Sequence, residues 1–150
     1  MKQKTDFKSL LFFTESKNRV ILIRLIVGLI FLSEGILKFL YPEIDGTGRF
    51  EKIGFSDPAF WAYFTGTFEI ICGLFLLLGF LTRIASIPLI IVMLTAFVTT
   101  KWPILINKGF WAMAHEYRTD FAMTLLLMYL LLYGPGKLSV DSLIYKSNKT

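Results

Sequence analysis

Cysteine and histidine are nearly absent from this 150-residue chain, which contains one of each, Cys72 and His115. A single cysteine excludes an internal disulfide and a CxxC redox pair, and a single histidine with no cysteine at ligand spacing argues against a metal site. Basic residues do not alternate with aromatic residues in the runs typical of nucleic-acid readers, so the net charge of +5 does not indicate such a partner. We therefore expect no metal, no thiol relay and no nucleic acid.

Hydrophobic residues dominate instead, at 55% of the chain with a mean hydropathy of +0.61. The 25 residues between Asp57 and Arg83 contain a single charge, Glu69, and form a stretch long enough to cross a bilayer. A charge at that depth costs at least about 2.5 kcal/mol, so Glu69 is a candidate functional residue that needs a partner. The sequence predicts an integral membrane protein in contact with the lipid bilayer.

Four apolar segments predict an all-α fold, a four-helix transmembrane bundle. Asp57 and Pro58 resemble an N-cap and first helical position, Gly79 predicts a tight turn, and Trp102 with Pro103 predicts the end of the third helix. The fourth segment is polar in its first turns. The segments cover 19–40, 58–81, 84–98 and 110–133.

Basic residues near the segment ends predict that both termini are cytoplasmic, because nine of them fall on the side of the termini and at most six on the other. The expected location is the bacterial inner membrane. The segment Phe7–Phe13 is expected either to lie on the membrane surface or to belong to a disordered tail. The predicted divisions are an N-terminal tail (1–18), a membrane domain (19–144) and a C-terminal tail (145–150).

Helical periodicity sorts the polar residues onto faces. On the first helix, Glu34 and Lys38 share an arc with Arg24, Gly28, Phe31 and Gly35, whereas Leu22, Leu25, Leu29, Leu32 and Ile36 cover the other side. On the second helix, Glu69 emerges from a groove of small residues, Ala62, Gly66 and Gly73, where another helix can approach closely.

These faces supply the candidate binding residues. Glu69 is expected to be protonated or paired with Lys38, in one cluster with Glu34 and Asp120. Glu34 and Lys38 could equally form an ion pair that only fixes the bundle, and the polar residues near the start of the fourth helix could simply be solvated at the interface. The full candidate set is Glu34, Lys38, Glu69, His115, Glu116, Arg118 and Asp120.

Two motifs in order carry a resemblance: E-x-x-x-G-L-x-L-x-x-G-x-x-T-R over 69–83, and GPGKLSVD over 134–141. With them, residues 19–144 resemble the DoxX family of small bacterial and archaeal membrane proteins. The resemblance implies a helical membrane fold, an acid early in the last helix that Asp120 matches, and a link of some members to quinol or thiosulfate oxidation. A quinone is the ligand that this link would allow, and no cofactor is predicted from a motif.

Three functions follow as hypotheses. The favoured one is an accessory membrane subunit of a redox or stress-response system, with an intramembrane polar pocket and a protein partner or a second copy. A small proton-coupled transporter would also explain intramembrane acids, and a purely structural partner would need only their pairing. A stand-alone enzyme is not favoured, because no nucleophile and base pair, cofactor loop or metal motif is present in the sequence.

The orientation can be tested with alkaline phosphatase, which is active only after export. We expect a fusion after Thr150 to be inactive and a fusion within the Gly46–Phe55 loop to be active. The reverse pattern would show that the termini lie outside.

Overall fold

A computed structural model describes residues 18–147, and within them every regular element is helical. The predicted all-α class is confirmed for this range, whereas Phe7–Phe13 lies outside the described residues. The helices, numbered in chain order, are α1 (Val20–Leu40), α2 (Thr47–Lys52), α3 (Pro58–Leu78), α4 (Thr82–Ala96), α5 (Trp102–Lys108), α6 (Phe110–Tyr133) and α7 (Val140–Ser147), with a π-helical segment (Phe97–Lys101) joining α4 to α5.

Three helical stretches in this range are long and apolar enough to cross a membrane. They are α1, α3 and the continuous stretch from α4 to α5, Thr82–Lys108. Helix α6 has 24 residues but is not one of them, since its first half carries the polar residues His115, Glu116, Arg118 and Asp120. The chain is therefore a membrane protein with three candidate spans and a fourth long helix packed on α4.

Helices α1 and α3 pack closely and extensively against each other, through glycines on both surfaces. A Cβ atom at Gly35 would lie 2.8 Å from the carbonyl oxygen of Gly66, and one at Gly73 would lie 3.0 Å from that of Gly28. Backbones this close leave no room for larger side chains. The face predicted to meet protein is buried on both helices, while Leu29 on the opposite face of α1 is 56% exposed.

A tight turn joins α3 to α4, as predicted. The Asp57 carboxylate caps the start of α3 by accepting a hydrogen bond from the Phe60 backbone N–H at 3.1 Å. Helix α3 ends at Leu78, three residues before the predicted end, because Gly79 takes a left-handed conformation with φ of 66°. Leu81 is also left-handed, with φ of 45°, which is unusual for a residue with a side chain.

The prediction that Trp102 and Pro103 end the third helix is wrong. The chain stays helical through Phe97–Lys101 and on to Lys108, where Gly109 stops it with φ of 83°. Proline lacks an N–H, and Pro103 lies where the π-helical segment passes into α5, so the hydrogen bond that it cannot make falls at a change of helical register. The wider π-helical turn absorbs the change of register.

The apolar core lies between α1, α3, α4 and α6. It contains fully buried side chains from all four helices, and α7 follows α6 after the short Gly134–Ser139 connection. The largest are Phe31, Leu76, Leu89, Leu127 and Leu130.

The glycine contact predicts a large difference between two substitutions in α1. Gly35→Leu should lower the free energy of unfolding by about 3 kcal/mol, because the added side chain meets the α3 backbone and Ile70. Leu29→Ala should change it by less than about 0.5 kcal/mol, since Leu29 faces away from the protein. Thermal unfolding in detergent measures both. Equal stabilities would contradict this assignment of faces.

Candidate functional site

A cavity of about 500 Å³ opens between α1, α3, α4 and α6, at the end of the molecule away from Val20 and Ser147. Helix α2 and the loop after it cover part of it. The walls are mostly aromatic and aliphatic, which is typical of small-molecule sites with a few polar groups. The main aromatic residues are Phe31, Phe50, Phe55, Trp61, Phe64 and Phe68.

The aromatic residues form a connected series along α3 and the covering loop. Phe50 and Phe55 meet edge to face with ring centroids 5.3 Å apart, and Phe55 meets Trp61 at 5.7 Å. Along α3, Phe64 and Phe68 follow with centroids 4.9 Å apart. These contacts hold the covering loop against α3 and give the cavity broad apolar surfaces.

A buried ion pair forms the polar part of the α1–α3 wall. The Lys38 ammonium donates a hydrogen bond to a Glu69 carboxylate oxygen at 2.6 Å, and the two residues are only 6% and 3% exposed. Lys38 also donates weakly to the Glu34 carbonyl oxygen at 3.4 Å. An unpaired charge here would be very costly, so the pair satisfies both groups. The predicted pairing of Glu69 with Lys38 agrees with this geometry.

The opposite wall comes from the end of α4, the π-helical segment and α6. Asp120 on α6 borders the cavity and lies 3.4 Å from the ammonium of Lys101. Thr95, Thr99 and Thr100 also line this wall. π-Helical turns recur at functional sites, and this one places Thr99 and Thr100 directly on the cavity.

The structure brings together four of the seven candidate residues. Glu34, Lys38, Glu69 and Asp120 all line the cavity, although Asp120 pairs with Lys101 and not with the α1–α3 pair. The other three lie exposed on α6 and do not line it. Whether any of the seven binds a ligand stays a prediction. The outlying residues are His115, Glu116 and Arg118.

His115 and Arg118, three residues apart on α6, are close to each other, with 3.2 Å between a guanidinium nitrogen and His115 Nδ1. Glu116 and Asp120 are four residues apart on α6 but have different surroundings, because Asp120 forms an ion pair with Lys101 whereas Glu116 is exposed. Within residues 18–147, no three histidine, cysteine or acidic side chains are grouped as metal ligands would be. The absence of a metal site stays a prediction.

Sequence reasoning missed Arg49 and the aromatic lining. Arg49 lies on α2, in the loop counted only as a topology signal, yet it borders the cavity. The density of aromatic residues in GRFEKIGFSDPAFWAYF was the available signal. Without knowing that this loop folds back over α3, that density looks like an ordinary membrane interface.

A second polar cluster lies at the opposite end, around Arg24. Its guanidinium is buried and donates to four backbone carbonyls at 2.6 to 3.0 Å. Two of them end α3 and two belong to the GPGKLSVD motif, so one side chain joins α1, α3 and the C-terminal connection. The four acceptors are the carbonyl oxygens of Leu76, Leu77, Pro135 and Leu138.

Asp141 completes this cluster. Its carboxylate accepts hydrogen bonds from the backbone N–H groups of Leu81 and Thr82 at 2.8 and 3.1 Å, which holds the left-handed Leu81 and caps α4. Burial raises the pKa of the Asp141 carboxyl, while these hydrogen bonds and the nearby Arg24 act to lower it. Backbone groups bind both charged side chains of this cluster. The GPGKLSVD motif therefore has a structural role, because it holds the C-terminal connection against α3 and the turn before α4.

The comparisons with known proteins agree with a membrane protein. The DoxX family model matches residues 20–102. The uncharacterized membrane protein Rv3486 of Mycobacterium tuberculosis is 50% identical over 138 residues, covering 88% of this chain and 85% of that protein. "Putative oxidoreductase CatD" of Bacillus subtilis is 30% identical over 132 residues, covering 86% of this chain and 89% of that protein. No solved structure gives a significant match.

The apolar helices and the exposed faces of α1, α3 and α4 define a small integral membrane protein. The chain belongs to the DoxX family, as its motifs suggested. The matched region holds the ion pair and most of the cavity, and α6 adds the wall that carries Asp120.

The buried pair can be tested by a double-mutant cycle. Lys38→Met should lower the free energy of unfolding by about 3–5 kcal/mol, because it leaves Glu69 charged and buried without its partner. Adding Glu69→Gln should recover much of that loss. Lys52→Met, at an exposed position of α2, is the control and should have little effect. Denaturation in detergent measures five proteins: the wild type, the Lys38 and Glu69 single variants, the double variant and the control. A Lys38 variant as stable as the Lys52 variant would argue against the pair.

Proposed function

We propose that this chain is an accessory membrane subunit of a redox system and that its cavity binds a quinone-type ligand. The observation that carries the proposal is the aromatic cavity with the Lys38–Glu69 pair on its wall. The name of the Bacillus subtilis relative supports a redox association.

The cavity has the size and lining that a substituted quinone ring requires. Its volume of about 500 Å³ falls within the range of ligand pockets, and the rings of Phe64 and Phe68 offer surfaces on which a planar ring can stack. An ammonium group has three N–H donors, and Lys38 uses two of them within the protein. The remaining donor fits a quinone oxygen, and the apolar walls fit the adjoining substituents and tail.

The architecture that goes with this function is a four-helix bundle in the bacterial inner membrane, with α6 as the fourth crossing and both termini in the cytoplasm. Gly109 and Gly79 lie at opposite ends of the α4–α5 stretch. Asp141, which follows α6, contacts the turn before α4, so α6 returns to the Gly79 end, which supports four crossings. The basic residues support the orientation. The cavity would then open in the outer half of the membrane.

In this proposal the electron-transfer groups belong to a partner protein, and this chain holds and positions the quinone. The large exposed apolar faces of α3 and of the α4–α5 stretch leave room for a partner or a second copy beside lipid. Glu69, held by Lys38, and the neighbouring Glu34 would then provide the polar environment at the ring.

Tryptophan fluorescence tests ligand binding. Trp61 borders the cavity, whereas Trp102 and Trp111 are outside it and are 50% and 84% exposed. In the Trp102→Phe/Trp111→Phe variant, decylubiquinone should quench the remaining Trp61 in a saturable way, with Kd on the order of 1–100 μM, as expected for a modest pocket.

The matched control keeps Trp111 as the sole tryptophan through Trp61→Phe and Trp102→Phe. Its quenching should rise linearly with quinone, because the hydrophobic ligand merely partitions into the detergent micelle around it. Identical curves for the two proteins would rule out quinone binding in the cavity.

A further inference from the structure

The wall formed by α4 and the π-helical segment presents hydrogen-bond acceptors to the cavity, and these acceptors restrict the ligand. On the α4 wall, the hydroxyls of Thr95, Thr99 and Thr100 each donate to a carbonyl oxygen four residues earlier in the same helix. A threonine has one hydroxyl proton, so these three oxygens can only accept hydrogen bonds from a ligand. The hydroxyls of Thr65 and Thr119 also border the cavity and can serve either way.

The carboxylates that line the cavity add further hydrogen-bond acceptors. Glu34 is half-buried on α1, and no side-chain hydrogen bond or ion pair joins its carboxylate to another of residues 18–145. An ionised carboxylate only accepts. Asp120 on the facing wall adds a further acceptor, although Lys101 occupies one side of it.

Donors lie at two positions of the cavity. Lys38 has one remaining N–H, and Arg49, on the exposed side of α2, supplies a guanidinium with up to five. Lys38 can donate to a ring oxygen whether that oxygen is a carbonyl or a hydroxyl. Glu34 is different, because it requires a ligand that donates.

We infer that the cavity selects the hydroxyl-bearing, reduced form of its ring ligand, the hydroquinone, with the Glu34 carboxylate as the specificity-determining acceptor for one O–H group. This inference rests on the proposed quinone function. A quinone carbonyl facing Glu34 and the threonine oxygens leaves acceptors opposed to acceptors, and such unpaired polar groups lower affinity strongly. The inference concerns binding alone and assigns no electron transfer to this chain.

The test is calorimetric titration of the purified full-length protein with decylubiquinol and with decylubiquinone, under anaerobic conditions in detergent. The wild type should bind the quinol at least about tenfold more tightly, as one hydrogen bond to a charged acceptor supports. Glu34→Gln should reduce that ratio to about one to three, because the amide can donate to a carbonyl and accept from a hydroxyl.

Two further variants make the result specific. Thr99→Val removes one acceptor at nearly constant volume and should lower the ratio even if the Glu34 variant fails to fold. Glu51→Gln changes an exposed carboxylate on α2 outside the cavity and should leave the ratio unchanged.

The outcomes separate the two proposals. Binding of neither form would overturn the proposed quinone function. Equal affinity of the wild type for both forms, or tighter binding of the quinone, would overturn the inference while leaving the quinone function in place. A ratio that falls equally in the Glu34 and Glu51 variants would show that net charge, and not the cavity acceptor, sets the preference.

Discussion

The close approach of α1 and α3 is the constraint on which the rest of the structure depends. Gly35 and Gly66 let the two backbones touch, and this contact brings Lys38 within 2.6 Å of Glu69. Each feature requires the other: a buried carboxylate in an apolar helix needs a partner, and larger residues in the contact would separate the pair. The cavity lies beside this pair, so its polar wall is fixed by helix packing and not by a loop.

The two ends of the molecule use charge in opposite ways. At the end near Val20, Arg24 donates hydrogen bonds to backbone carbonyls and Asp141 accepts them from backbone N–H groups. These bonds join α1, the α3–α4 turn and the C-terminal connection. At the other end, Glu34 and Arg49 border an open cavity with no side-chain hydrogen bond or ion pair between them and other described residues. Polar groups that are hydrogen-bonded within the protein make that end rigid, whereas polar groups without such bonds are available to a ligand.

The π-helical segment connects fold and chemistry on the far wall. Its threonines satisfy their own protons within the helix, which is how hydroxyl groups are accommodated in apolar helices. The consequence is a wall of acceptor oxygens opposite the aromatic surface of α3. The selectivity proposed for the cavity would therefore follow from the need of a membrane helix to satisfy every polar hydrogen.

The sequence by itself determined the membrane class, the capped start of α3 and the tight turn after it, and the buried faces of α1 and α3. It also determined that Glu69 needs a partner. These features follow from hydropathy, turn chemistry and the cost of a buried charge. Tertiary structure alone decided that Asp120 pairs with Lys101, that Arg49 covers the cavity, and that Arg24 binds four carbonyls from two distant segments. Helical periodicity gives the face on which a residue lies, but not which residue of another helix or loop it meets. That choice depends on how loops fold and helices cross, and these contacts join residues too far apart in sequence for a local pattern to predict.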